Sequence, residues 1–360
     1  GEIDNSQLSR YEKGRCYPSF DKLRILAIIF NVPIQSFSDV IDLEQYDSLK
    51  PGSGDFVSLR EEGNALIRAG NFGRAYVVFE RCLEVLETEG PARYGGEFGE
   101  MRARCRYNMA RSLLRLGKIN LSENEIRRML RRCSGISERT KMMALILLSN
   151  VHKEQGDRFL AIVDAEKCLA MARENGDLEI RCSAHHAIGS AWYEEGDYGQ
   201  AVTSLREALE GYREINRVEQ AITLLADIGI CDVAMGKPNK GFRQIRESIR
   251  LARKENMRRA LSYGLAKEGY GLILLEDHVG AKAMFQKAEI VASGGGDRYV
   301  DILFLCAYYQ WLISRKIGNP VQEKISFGRL KHLRSSLERK FLEVQWFDRF
   351  IQGDKGTDIS

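Results

Sequence analysis

An all-α array of stacked helix pairs is the fold class this sequence predicts, on three observations. First, a short turn motif keeps returning: Ala69-Gly70-Asn71-Phe72-Gly73-Arg74-Ala75, Gln155-Gly156-Asp157-Arg158-Phe159-Leu160-Ala161 and Glu195-Gly196-Asp197-Tyr198-Gly199-Gln200-Ala201. Weaker copies at Leu116-Gly117-Lys118, Met235-Gly236-Lys237 and Ile317-Gly318-Asn319 complete a ladder of turn glycines, with Glu276-Asp277-His278 in the one gap. Second, apolar residues beside these turns recur at helical spacing. Third, only six prolines occur in 360 residues, so long helices are permitted. A period of about forty residues means like units sharing one continuous core.

The first element is residues 6–42. Ser6 to Glu12 reads as a short helix ending at Gly14, and Pro18-Ser19 opens another with Leu23, Leu26 and Ala27 on one face. Asn31-Val32-Pro33 breaks that helix, and Phe37 to Ile41 closes the unit. Leu8-Ser9-Arg10, Glu12, Gly14, Pro18-Ser19, Leu23, Leu26-Ala27 and Val32 resemble the second half of an Xre/Cro-like helix-turn-helix domain. The resemblance implies that the helix holding Gln7 to Glu12 enters the DNA major groove. Gln7 then faces an adenine, and Arg10 faces guanine or phosphate or pairs within the domain with Glu12. Ser6, Ser9, Lys13 and Arg15 fit phosphate contacts, which position without specifying. The family places two helices before this segment, where this chain has Gly1 to Asn5. The chain starts without Met, so a natural start upstream is expected. Otherwise the partial domain docks on the repeats.

The second element is the repeat. In residues 58–87, Leu59, Ala65, Leu66 and Ala69 are read as the stripe of a first helix, and Gly70 as its left-handed end. Asn71 suits the cap of the next helix, whose stripe is Ala75, Phe79 and Cys82. Residues 184–209 repeat the layout with Gly189, Gly196, Ala201, Leu205 and Ala208. These residues resemble the tetratricopeptide repeat, in seven units longer than the family's usual period of about 34. Elongated units of this kind resemble those of bacterial peptide-sensing regulators. The fold class expected is thus a partial helix-turn-helix domain followed by a right-handed α-solenoid and a capping helix. The expected boundaries are 1–46 for the partial domain, 47–56 for a linker and 57–334 for the repeats. The capping helix takes 335–352, as one amphipathic run from Ser335 to Ile351, and 353–360 is a disordered tail. Glu89 to Gly96 and Gly294 to Gly296 read as loops between repeats.

The resemblance implies that the first helix of each pair lines an inner groove. Counting back from the turn glycines puts Arg60, Asn64, Arg68, Tyr107, Asn108, Arg111, Arg115, Asn150 and Lys153 there, then His186, Ser190, Tyr193, Tyr263, Tyr270, Tyr308 and Arg315. Asparagine offers both a donor and an acceptor, so it can hold a peptide backbone without reading its side chains. Arginine adds a fork for a carboxylate. The expected partners are a peptide or protein in the groove and operator DNA through the N-terminal segment, in a cytoplasmic homodimer. The alternative is a scaffold or inhibitor that binds a partner protein and no DNA.

Other classes are unsupported. A net charge of +4 does not by itself imply nucleic acid. The eight cysteines show no Cys-x-x-Cys, and Cys82 and Cys168, at equivalent repeat positions, read as buried reduced thiols. No apolar run reaches membrane-spanning length, and no nucleotide, hydrolase or metalloprotease motif appears. The five histidines do not cluster, and neither a cofactor nor a metal is expected.

Overall fold

A computed structural model describes residues 8–9, 20–30, 37, 39, 43–294, 299–337 and 341–353. Seventeen α-helices and no strand occur among them. The chain divides into two compact units, Gly1–Ile136 and Ser137–Ser360.

Unit 1 holds α1 (Phe20–Phe30), a 3-10 turn at Glu44–Leu49, α2 (Phe56–Ala69), α3 (Phe72–Glu89), the short α4 (Pro91–Tyr94), α5 (Phe98–Arg115) and α6 (Ile119–Arg132). Unit 2 holds α7 (Glu138–Gln155), α8 (Arg158–Glu174), α9 (Leu178–Glu195), α10 (Tyr198–Glu214), α11 (Val218–Ala234) and α12 (Pro238–Lys254). It continues through α13 (Arg258–Leu274), α14 (His278–Ser293), α15 (Val300–Lys316), α16 (Pro320–Ser335) and α17 (Leu342–Ile351). Seven antiparallel pairs result among the described residues, from α2–α3 to α15–α16.

The turn motif works as a stop and a start. Gly70, Gly156 and Gly196 end α2, α7 and α9 at φ +78°, +87° and +84°, a backbone region closed to most side chains. The next residue then caps the second helix. The Asp157 and Asp197 carboxylates each accept the N–H three residues on, at 3.0 Å, and Asn71 does so at 3.4 Å. A second ladder escaped sequence reading: Gly176, Asn216 and Asn256 take positive φ at the turns between pairs. Asn tolerates that region by bonding its own backbone, so the position need not be Gly.

The stripe on α2 differs from expectation. Phe56, Leu59, Gly63 and Ile67 are buried, whereas Ala65 and Ala69 are exposed and Leu66 is half-buried. The buried set follows three- and four-residue steps from Leu59, and the expected set drifts off that line. On α3 the expected Ala75, Phe79 and Cys82 are all fully buried. Cys82 and Cys168 are equivalent in contact as well as position. Each thiol donates to a carbonyl near the start of its pair's first helix, Phe56 O at 3.6 Å and Met142 O at 3.3 Å. Burial pushes the Cys168 thiol up to about 12, so it stays protonated.

Two further readings are corrected. Residues 89–96 are not simply a loop: Pro91 starts α4 and a 3-10 turn follows at Gly95–Glu97, because Pro favours the first helical position. The run from Ser335 to Ile351 is not one helix. The first of its residues, Ser335, ends α16, and α17 folds back so that Arg334 makes a two-pronged bond to Asp348 at 2.8 and 2.9 Å. Val344 and Phe347 of α17 are fully buried, with Phe347 among Phe304, Trp311 and Phe327 at ring distances of 5.6–5.9 Å.

The end of the N-terminal segment docks on the first repeats. Lys118 reaches the buried Asp39 at 3.2 Å, and Leu43 packs with Leu113 and Leu116. Tyr46 lies over Gly73, where a Cβ would fall 2.1 Å from its ring, and Lys50 bonds Glu80 and Glu84. The 3-10 turn and Lys50 therefore hold part of the stretch expected as a linker against α3. Of the expected DNA-contacting residues, Ser9 is helical and half-buried. Ser6, Gln7, Arg10, Lys13 and Arg15 lie outside the described residues, as do 295–298 in the glycine-rich stretch and 354–360 in the tail. No described helix is long and apolar enough to cross a membrane.

Candidate functional site

The first helices of the unit 2 pairs, α7, α9, α11, α13 and α15, present one polar and aromatic face. Its residues follow helical steps: Asn150 and Lys153 on α7; His186, Ser190, Tyr193 and Glu194 on α9; Tyr263, Lys267 and Tyr270 on α13. Side chains at i, i+4 and i+7 share a helix face, which brings Tyr263, Lys267 and Tyr270 into line.

Lys267 is the hub. Its ammonium lies 3.0 Å from the Asp227 carboxylate on α11 and over the rings of Tyr193 and Tyr263, at 5.4 and 5.1 Å. The Tyr263 hydroxyl donates to the same Asp227 oxygen at 2.7 Å. A side chain on α9 thus meets one on α13, skipping α11, so the first helices turn toward each other on this face. Beside it, Lys153 donates to Ser190 at 3.1 Å and pairs with Glu194 at 3.3 Å. Further along, the Tyr270 ring lies 4.9 Å from Tyr309, whose hydroxyl donates to Glu343 of α17 at 2.8 Å.

The charge states follow from these contacts. Burial works against the Lys267 ammonium, but Tyr263 and Asp227 outweigh it and hold the group well above its ordinary range. Burial, then Asp227, pushes the Tyr263 phenol up, so it remains a donor. Burial lowers His186 below its ordinary value, leaving a neutral imidazole at pH 7. Burial raises the Glu343 carboxyl, against the pull of Tyr309 and Lys267. No group of three His, Cys, Asp or Glu suited to a metal occurs among the described residues. His152 is instead a buried structural group bonded to Asp164 at 2.7 Å.

No family model and no curated protein sequence matches the chain. Solved structures do. It is similar to a Rap protein complexed with Competence and Sporulation Factor: 15% identity, 92% of this chain and 92% of that chain covered, TM-score 0.62. It is also similar to NprR in complex with its cognate peptide NprX, at 16% identity, with 78% of this chain and 80% of that chain covered and a TM-score of 0.56. A third is BtubC from P. vanneervenii, at 14% identity, with 63% and 95% covered and a TM-score of 0.51. The fold is a tetratricopeptide-like helical array. At these identities the likeness carries the fold alone.

On this tetratricopeptide-like array the expected groove residues divide between the units. Arg60, Asn64, Arg68, Tyr107, Asn108, Arg111 and Arg115 belong to unit 1; Asn150, Lys153, His186, Ser190, Tyr193, Tyr263 and Tyr270 belong to unit 2. In unit 1, Arg60 lies 5.8 Å over the Phe56 ring, Arg68 and Arg111 are exposed, and Asn64, Tyr107, Asn108 and Arg115 are half-buried. In unit 2, the Asn150 amide donates to its own helix at Ile146 O, 3.0 Å. Two expectations are corrected. Tyr308 is fully buried in the core beside Phe304 and Trp311, and its neighbour Tyr309 takes the face. Arg315 is exposed over Trp311 and Phe350 instead. One residue turns a helix by 100°, enough to move a side chain from face to core. Sequence reading also missed Asp227, Glu194 and Lys267. Lys267 was findable, since it sits four residues after Tyr263 and three before Tyr270.

Proposed function

We propose that this chain is a regulatory receptor whose first-helix face binds a short peptide signal and whose N-terminal segment passes the response to operator DNA. The observation that carries the peptide reading is the Lys267 hub: a held charge, ring faces and hydroxyls, arrayed on successive first helices. Such a face offers a peptide backbone hydrogen bonds and its side chains apolar contact. Two solved structures of similar fold, the Rap protein and NprR, contain a peptide or factor by their own descriptions, and this supports the reading. Unit 1 by itself carries a basic set suited to carboxylates: Arg60, Asn64 and Asn108, with Arg68, Tyr107, Arg111 and Arg115. The DNA reading rests on the motif around Leu8-Ser9-Arg10 and Gly14. A cytoplasmic homodimer then presents two heads to two half-sites. In the second reading, a partner protein occupies the face, and Asp39 with the stretch 43–50 serves only to cover the first repeats; the contacts of Lys118 and Leu43 favour it.

The test is capture from the native host, with mass spectrometry of co-purified peptide, protein and DNA. Asn150→Ala with Tyr193→Ala weakens the captured peptide by about tenfold or more in calorimetry, the equivalent of about 1.4 kcal/mol. Unaltered affinity places the ligand elsewhere. Gln7→Ala with Arg10→Ala abolishes operator footprints in the chain carrying the whole DNA-binding domain, and persisting footprints remove the assigned recognition helix.

A further inference from the structure

The last helix does more than close the array. Its residues Glu343 and Gln345 lie about 200° apart around the helix, so they point to opposite sides of its first turn. Glu343 accepts from Tyr309 at 2.8 Å and feels the charges of Lys267 and Glu194. Gln345 donates to Glu154 on α7 at 3.0 Å, across 191 residues of chain. The first turn of α17 therefore stands between α7 on one side and α13 and α15 on the other, beside the Lys267 hub. The two halves of α17 are held differently. Phe347 is sealed among aromatic rings, and Trp346 packs 6.3 Å from Tyr308. In the first turn Val344 is fully buried in the core, while Glu343 and Gln345 on either side of it are only half-buried and rest on polar contacts, which water or a ligand can replace.

We propose that the Glu343 and Gln345 side chains in the first turn of α17 are displaceable internal occupants of the unit 2 face, and that a ligand reaches Lys267 by drawing them aside while Val344 and the aromatic half stay seated. This rests on the reading of that face as the ligand site. Glu343 and Gln345 then act as a latch that sets how often the site is open, and ligand affinity is reduced by the closed fraction.

The test needs no ligand. Glu154→Cys and Gln345→Cys are introduced in the full chain and joined by a short bis-methanethiosulfonate linker, since these long side chains meet only at their tips and a direct disulfide is too short. Acetylation of Lys267 by N-hydroxysuccinimidyl acetate is followed by mass spectrometry, with the exposed Lys254 as the reference. The expected result is labelling about tenfold slower in the bridged form than after reduction, with Lys254 unchanged. Glu343→Gln with Gln345→Ala, and separately Tyr309→Phe, speed Lys267 labelling by about threefold or more over the unmodified chain. These substitutions leave Phe347 and Trp346 in place. Equal Lys267 rates in the bridged and reduced forms overturn the latch. Because no peptide is present, that failure is distinct from failure of the peptide reading.

Discussion

Removing Asp227 tests the Lys267 hub directly. The two side chains are 18% and 16% exposed and 3.0 Å apart, so Asp227→Ala leaves a mostly buried ammonium without its nearest counter-charge. Breaking such a pair from one side costs about 3–5 kcal/mol. The lower end applies because the rings of Tyr193 and Tyr263 still face the cation and Glu343 remains within its field. Tyr263 also loses its acceptor, which adds about 1 kcal/mol. The expected loss is about 4 kcal/mol, or a fall in Tm of about 8–16 °C at the usual scale for a unit of this size. Circular dichroism melting of the full chain measures it. Adding Lys267→Met to Asp227→Ala restores about half the loss, because the stranded charge is gone while the Tyr263 hydroxyl still lacks a partner. A single-variant loss below about 1 kcal/mol, or no recovery in the double variant, refutes the view of a desolvated, mutually dependent pair.

Other consequences follow from particular contacts. Gly241→Ala costs at least about 2 kcal/mol in urea unfolding, because its Cβ would fall 2.4 Å from the Gly229 carbonyl oxygen and 2.5 Å from Val233. Gly271→Ala, with Phe242 no nearer than 3.2 Å, stays within about 1 kcal/mol; equal costs would disprove the close approach of α11 and α12. Asp157→Ala removes a cap of α8 and costs about 1 kcal/mol, read as a shift in urea midpoint. His186 has a depressed folded value against 6.5 ordinarily, so the unfolded chain takes up its proton first. Its stabilising contribution is present above pH 6.5 and is lost as pH falls through the lower folded value. His186→Gln makes stability less dependent on pH across that window, with burial-lowered His185 supplying the remaining slope. An unchanged slope would remove His186 as a contributor.

The repeat was legible because its signals are local. A glycine that must take positive φ and the Asp or Asn that caps the next helix act within four residues of themselves, so Gly156-Asp157 reads the same in the linear chain as in the fold. The second-helix stripe of Ala75, Phe79 and Cys82 was legible for the same reason: one helix face is a spacing rule. The stripe on α2 was misread because alanine is apolar enough to suggest burial yet small enough to be exposed at little cost, as Ala65 and Ala69 are. The site was half legible. Tyr193, Tyr263 and Tyr270 came from counting back from glycines, but the same count put Tyr308 where Tyr309 stands. Asp227 carried no local mark, since it is one of three carboxylates on its helix, with Glu219 and Asp232, and resembles a solvated residue until its partner is known.

The chain order alone determined seven helix pairs and the turn within each pair, since these depend on neighbours within a few residues. Only the tertiary structure decided that Lys267 joins Asp227 to Tyr193, that Asp39 and Leu43 rest on the first repeats, and that Gln345 returns to Glu154. These contacts join residues 40 to 191 positions apart. Their formation depends on the angle accumulated from one helix pair to the next, a quantity that no short window of residues contains.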